Sequence, residues 1–334
     1  MNVRFLEGYF IVTDDDHIFE VKGNVHPKNR VIAYLRYVPS SDGERCSADG
    51  IRYRKVYLLH EREAYLSERH PEYLWYDHAY GRVMQGVPTD RIAFVLNPVV
   101  CLSEIKDTGA HLNRLQKASL KLAQRIVDGA RLEWSDVGIT GSQLVGLSRA
   151  DSDIDLVVYG SLPAQRVFLL LQGCDESLGI RRYSGERLNR HVDFRWGKQN
   201  TWWHVMREIE ERKVLQGEFD SYDFFIRNVK LQEETASLYG GQLVTNEGIQ
   251  RIRGRIVDDQ DAIFTPCTYC IECVENSMFK RIVSYRGKFT EQTQKGMMVE
   301  ARGRAELVVL KRTREEFMQL VLGEDLDDYL VPTS

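Results

Sequence analysis

The stretch GSQLVGLSRADSDIDL, residues 141–156, decides how the whole chain is read: a Gly-Ser pair, ten intervening residues, then two aspartates flanking one isoleucine. Ahead of it, Val137 and Ile139 alternate with small or polar neighbours in SDVGITGS, which predicts a short strand leading into Gly141. Behind it, the apolar run IDLVVYG at 154–160 predicts a second, buried strand. Residues i and i+2 of a strand share a face, so Asp153 and Asp155 present two carboxylates side by side while Ile154 enters the core.

Two carboxylates placed together repel each other unless a cation joins them. Nucleotide transfer from a triphosphate needs such cations, because two divalent ions about 4 Å apart can bridge the attacking and leaving oxygens. Mg2+ takes oxygen ligands and is usually held by a few carboxylates plus the phosphates. RHVDFRW at 190–196 alternates as a strand with His191, Asp193 and Arg195 on one face, which makes Asp193 the candidate third ligand and the base for an acceptor hydroxyl. The other reading of Asp193 is a surface carboxylate paired with Arg190 or Arg195. Gly141 lets the backbone approach a phosphate closely, and Ser142 offers a hydroxyl and an N–H at a helix start that favours anions.

In this order the residues resemble the minimal nucleotidyltransferases of the DNA polymerase β superfamily, whose pattern is G-S-x10-D-x-D. Gly141, Ser142, Asp153 and Asp155 fill it without insertion or deletion, and Gly146, Arg149 and Ser152 match further positions common in these enzymes. The resemblance implies Asp153, Asp155 and, by strand context, Asp193 as ligands of two Mg2+ ions, with Mn2+ a substitute. It implies nucleotide binding by Gly141, Ser142, Arg149 and Ser152. Val145 stands where many members carry a basic residue, so a phosphate contact would fall to Arg149, Arg195 or Lys198. The motif region covers roughly residues 108–220, and the whole chain is similar to an archaeal family of predicted nucleotidyltransferases.

The flanks are β-rich, so the fold class expected is α+β: a β-rich accessory domain over 1–105, a nucleotidyltransferase domain of short mixed sheet and helices over 106–238, and a small β-barrel or sandwich over 239–334. Within these, a helix capped by Asp107 or Thr108 is expected to run to Gly129, and another to close the chain near 314–322. Hydrophobic residues at 43% and charged residues at 28% belong to a globular protein rather than a disordered one. A net charge of −4 excludes a uniformly basic coat. Arg4 and Glu7 interrupt the N-terminus where a signal peptide would need apolar residues, and no long apolar run follows, so no membrane partner and a cytoplasmic location are expected.

Cys267, Cys270 and Cys273 form C-x2-C-x2-C, which reads either as three ligands lacking a fourth or as a half-buried strand, the latter preferred. Basic residues interleaved with Phe279, Tyr285 and Phe289 between 251 and 314 make RNA one acceptor class beside protein and small-molecule hydroxyls. Tyr222 and Arg227 in FDSYDFFIR are further candidates for contact with a base or ribose. The sequence therefore supports two functions: an NTP-dependent nucleotidyltransferase that releases pyrophosphate, or a non-catalytic nucleotide- or RNA-binding module on the same fold. It leaves the NTP, the acceptor and the oligomeric state open.

Overall fold

The computed structural model describes residues 4–173, 178–235 and 238–333, and Cys174 lies outside them. The fold is α+β, and the chain divides into two compact units. The first comprises Met1–Asp77, Arg82–Leu170 and Phe219–Gly240; the second comprises His78–Gly81, Leu171–Glu218 and Gly241–Ser334.

In the first unit an antiparallel sheet runs in the order Arg45–Cys46, Arg52–Lys55, Arg30–Pro39, Ile18–Val21, Phe10–Thr13, Ile92–Leu96. Arg82–Pro88 also pairs with Arg30–Pro39, and Leu74–Asp77 pairs with Arg82–Pro88. Ile11, Phe19, Val21, Val31, Ala33 and Leu35 bury one side of it in a core that also takes Val157, Tyr159 and Val229. Those last three belong to a second set of strands. Ile154–Tyr159 pairs antiparallel with Val137–Ile139 and parallel with Tyr222–Val229. A parallel pair needs a long crossover, and here the chain leaves the first unit after Leu170 and returns at Phe219.

The helix expected from Asp107 or Thr108 is two helices. Pro98–Thr108 starts on an Asn97 cap with Pro98 in its first turn, and Gly109 ends it at φ +64°. Arg114–Ala130 then starts at Asn113, whose side chain accepts from Gln116 N–H while Gln116 returns the bond to the Asn113 backbone. That capping box, N-x-x-Q, is a stronger start signal than a lone Asp or Thr. Leu115, Ala118, Leu122 and Ile126 are buried on one face, as their spacing requires.

In the second unit the strands Gln242–Asp258, Cys267–Cys273, Phe279–Ser284, Glu316–Leu322, Met298–Leu310 and Tyr329–Pro332 follow one another in sheet order, and Gln242–Asp258 pairs with Met298–Leu310 as well. The terminal helix expected near 314–322 is the Glu316–Leu322 strand, buried at every position after Glu316 and paired on both sides. A short, mostly apolar run has no clear periodicity, and here the sheet claimed it. The strand reading of 267–273 holds. Cys267 faces the core, where desolvation pushes its thiol up to about 12. Among the described residues no helix is long and apolar enough to cross a membrane.

Candidate active site

The parallel register pairs Ile154 with Phe224, Asp155 with Phe225 and Val157 with Arg227. Strand alternation therefore divides the two strands into a core face, with Ile154, Leu156, Phe224 and Ile226 buried, and an opposite face carrying Asp155, Val157, Phe225 and Arg227. One residue earlier in the same register stand Asp153 and Asp223, on that second face. The face is graded along its length. Val157, Tyr159 and Val229 close its far end in the core, Asp155 is half-buried, and Asp153 is exposed.

Gly141 sits against the Asp155 carboxylate. Its φ of +66° lies in the left-handed region, and a Cβ added there would overlap Asp155 Oδ2 and lie 2.9 Å from Cγ. Two independent constraints thus demand glycine: backbone conformation and close approach to Asp155. The approach is set by the strands, since Thr140 N–H donates to the Asp155 carbonyl at 2.9 Å and Thr140 Oγ1 donates to Gly8 O at 2.6 Å. Ser142 is buried, and beside it Gln143 exchanges hydrogen bonds with Ser119 of the Arg114–Ala130 helix. The helix begun at Gly141 is a single turn, Gly141–Leu144. A helix this short sums few peptide dipoles, so anion binding here would rest on the corner's own N–H groups rather than on a macrodipole.

Burial raises the Asp155 carboxyl above its ordinary range, although Arg227, Lys55 and Arg36 pull the other way. Arg227 does not reach out as a base or ribose contact. Its guanidinium donates to Glu7 at 2.6 Å and Glu20 at 2.7 Å, and Lys22 donates to the same two oxygens at 3.0 and 2.8 Å. The Glu7 side chain is fully buried and Glu20 nearly so; despite that burial the Lys22 and Arg227 cations hold Glu20 well below the usual carboxylate range. Arg36 and Lys55 come from the large antiparallel sheet, one on Arg30–Pro39 and the other on Arg52–Lys55. Neither was singled out in the sequence.

Asp193 is not on a strand. It lies on the Gly185–Trp196 helix of the second unit, and its Oδ1 accepts from Trp203 Nε1 at 2.9 Å. The alternation in RHVDFRW was misleading, because Leu188, Val192 and Trp196 are buried at helical spacing while Phe194 is 82% exposed. The strand context that made Asp193 a ligand is gone, and Arg195 and Lys198 belong to the same second unit. The carboxylate that does share the face of Asp153 and Asp155 is Asp223. Its signal was the alternation in YDFFIRNV, which buries Phe224 and Ile226 and puts Asp223 opposite them.

Ser152 Oγ accepts from Arg149 N–H at 2.8 Å, closing the turn before the aspartates, while the exposed Arg149 side chain lies 3.3 Å from Asp151. In the second unit Phe279 and Phe289 are core residues and unavailable for stacking, whereas Tyr285 is 38% exposed. Arg253, Arg302 and Arg304 are engaged with Glu275, Asp328 and Glu306.

Comparison with known proteins gives one relative: an uncharacterized protein of Methanocaldococcus jannaschii, 28% identical over 340 residues, spanning 99% of each chain. No family model and no solved structure matches.

Proposed function

We propose that the chain is a metal-dependent nucleotidyltransferase acting in the cytoplasm, with a polymerase-β-like core around the Gly141 corner and a small barrel in the second unit. Support for the barrel is the pairing of Gln242–Asp258 with both Cys267–Cys273 and Met298–Leu310. The observation that carries the function is the Asp155 carboxylate packed against the backbone of Gly141.

Asp153, Asp155 and Asp223 are hard oxygen donors of the kind Mg2+ and Mn2+ prefer. Asp155 is also a carboxylate that burial destabilises, which is the condition a bound cation relieves. Those three residues would hold the ions, which supply neutralisation of the triphosphate and of the charge that builds on its oxygens. The chain's own groups do the rest. Gly141 and Ser142 bring backbone close to the phosphates, Ser142 adds its hydroxyl, and Arg36 and Lys55 add the positive charge that Val145 cannot. Asp223, in the role first given to Asp193, would receive the proton of the acceptor hydroxyl. The acceptor is an RNA end, a protein or a small molecule.

The alternative, a non-catalytic nucleotide-binding module, is favoured by one fact: among the described residues these three carboxylates are not gathered within 4.8 Å of one another. Pyrophosphate release decides between them. Each NTP is incubated with Mg2+ or Mn2+ and with cellular RNA or protein as acceptor. Asp155→Asn and Asp223→Asn should each lower turnover at least about 100-fold, since even outer-shell partners of a metal are worth 10–100-fold. Asp193→Asn should leave it within about 3-fold. Equal turnover by the native chain and Asp155→Asn, or none by any, ends the proposal.

A further inference from the structure

A second cluster lies in the first unit, away in sequence from every motif above. Asp15 and His17 border the turn between Phe10–Thr13 and Ile18–Val21, and His70 ends the Leu59–Arg69 helix. One ligand atom from each lies within 4.8 Å of the other two, and no other such group of three occurs among the described residues.

The distances fit a coordination shell. His17 Nδ1 is 3.0 Å from Asp15 Oδ1, and His70 Nδ1 is 3.5 Å from Asp15 Oδ2. Ligand atoms about 2.0–2.1 Å from a tetrahedral Zn2+ lie roughly 3.3 Å apart along the tetrahedron's edges. The His17 ring is buried, its side chain 4% exposed, and no well-aligned hydrogen bond reaches its Nδ1. At 3.0 Å from a carboxylate oxygen, that nitrogen must be aimed off the line joining them. A buried ring nitrogen held only in a misaligned contact loses part of a hydrogen bond's free energy, which a bound ion would recover.

The surroundings are those of a metal ligand set. His17 Nε2 is 2.9 Å from the Tyr65 hydroxyl; if it donates there, Nδ1 carries the lone pair. Thr13 Oγ1 donates to Asp15 Oδ1 at 2.5 Å. Tyr73 donates to Oδ1 at 2.9 Å and Arg91 to Oδ2 at 3.0 Å. Glu72 Oε1 stands 3.4 Å from His70 Nδ1 and adds a further carboxylate beside the cluster.

We propose that Asp15, His17 Nδ1 and His70 Nδ1 bind one ion of the Zn2+ class, pinning the turn between the two strands to the end of the Leu59–Arg69 helix. Two imidazoles and one carboxylate select Zn2+ or Co2+ over Mg2+. The site stands whether or not the chain transfers nucleotides.

The test uses the full chain stripped with a chelator, then titrated with Zn2+ calorimetrically in excess Mg2+. One equivalent should bind. Affinity should fall at least about 100-fold in His17→Gln and in His70→Gln, and about 10–100-fold in Tyr65→Phe, the outer-shell partner. Cys267→Ser/Cys270→Ser/Cys273→Ser should bind as the native chain does. If the histidine variants fail to fold, Co2+ added to the native chain decides: the visible bands of a four-coordinate nitrogen–oxygen site support the proposal. No saturable Zn2+ binding, retention in both folded histidine variants, loss with the cysteines, or sulfur-to-cobalt charge-transfer bands would each overturn it.

Discussion

Replacing Gly141 by alanine separates two effects at the corner. The φ of +66° is one that L-residues pay about 1–2 kcal/mol to adopt. The new Cβ would also overlap the Asp155 carboxylate, whose Cγ and Cβ would lie at 2.9 and 3.1 Å. The cheapest relief is to swing the short Asp155 side chain off its rotamer, at about 0.5–1.5 kcal/mol. Together Gly141→Ala should cost about 1.5–3.5 kcal/mol. The measurement is urea unfolding followed by hydrogen exchange in peptides covering 137–159, which reads the first unit by itself. In an Asp155→Ala background the clash disappears and only the strain remains, so the cost should drop to about 1–2 kcal/mol, leaving a coupling of about 0.5–1.5 kcal/mol between the sites. A cost below about 0.5 kcal/mol, or the same cost in both backgrounds, would refute the packing of Gly141 against Asp155 and with it the geometry on which the proposed function rests.

Three other outcomes follow from single groups. Glu210 and Lys213 are buried in the second unit, with Lys213 Nζ donating to Glu210 at 2.8 Å while Trp196 and Gln216 donate to the same carboxylate. Lys213→Met, which strips the cation from a buried anion, should cost about 3–5 kcal/mol in thermal or urea unfolding; a cost under about 1 kcal/mol would show that the neutral donors suffice. His26 Nδ1 accepts from Ile32 N–H at 3.2 Å, which leaves Nε2 to donate to Phe5 O at 3.1 Å, and burial lowers its pKa to about 4. A depressed histidine stabilises the fold above its unfolded value of about 6.5 and loses that contribution as pH falls towards 4, up to about 3 kcal/mol at 1.36 kcal/mol per unit. His26→Gln should flatten that limb of the stability profile, and an unchanged profile would assign it elsewhere. Lys55→Met should raise the KM for NTP several-fold with kcat held within about 3-fold, the pattern of a charge used equally in ground and transition states; unchanged KM would remove Lys55 from the site.

How much of this was legible depended on which signals were local. The strands at 137–139 and 154–159 each carry their own pattern, and both formed. The G-S corner was readable because the glycine's conformation and its approach to Asp155 are both encoded within 15 residues. RHVDFRW was not, because seven residues satisfy period 2 and period 3.6 about equally well; what decided it was Leu188 four places before Val192, outside the quoted window. FMQLVL failed for the opposite reason, being apolar at every position but Gln319 and so without a clear period. The Asp15, His17 and His70 cluster had no signature, since its members meet only when the Leu59–Arg69 helix folds back over the first two strands.

The same distinction explains the electrostatics of the corner. The two aspartates of D-x-D look equivalent in sequence, yet Asp153 is exposed and Asp155 is half-buried against glycine with its carboxyl raised. The cations that oppose this rise come from distant strands: Arg36, Lys55 and Arg227. Arg227 is already committed to Glu7 and Glu20, so its field is largely spent locally. Arg36 reaches Glu20 only at 3.7 Å, and Lys55 sits 4.5 Å from the Tyr57 ring. These two are therefore the charges with most left to offer an incoming anion. Under the proposed function, the neighbouring sheet supplies from across the fold the charge that Val145 lacks.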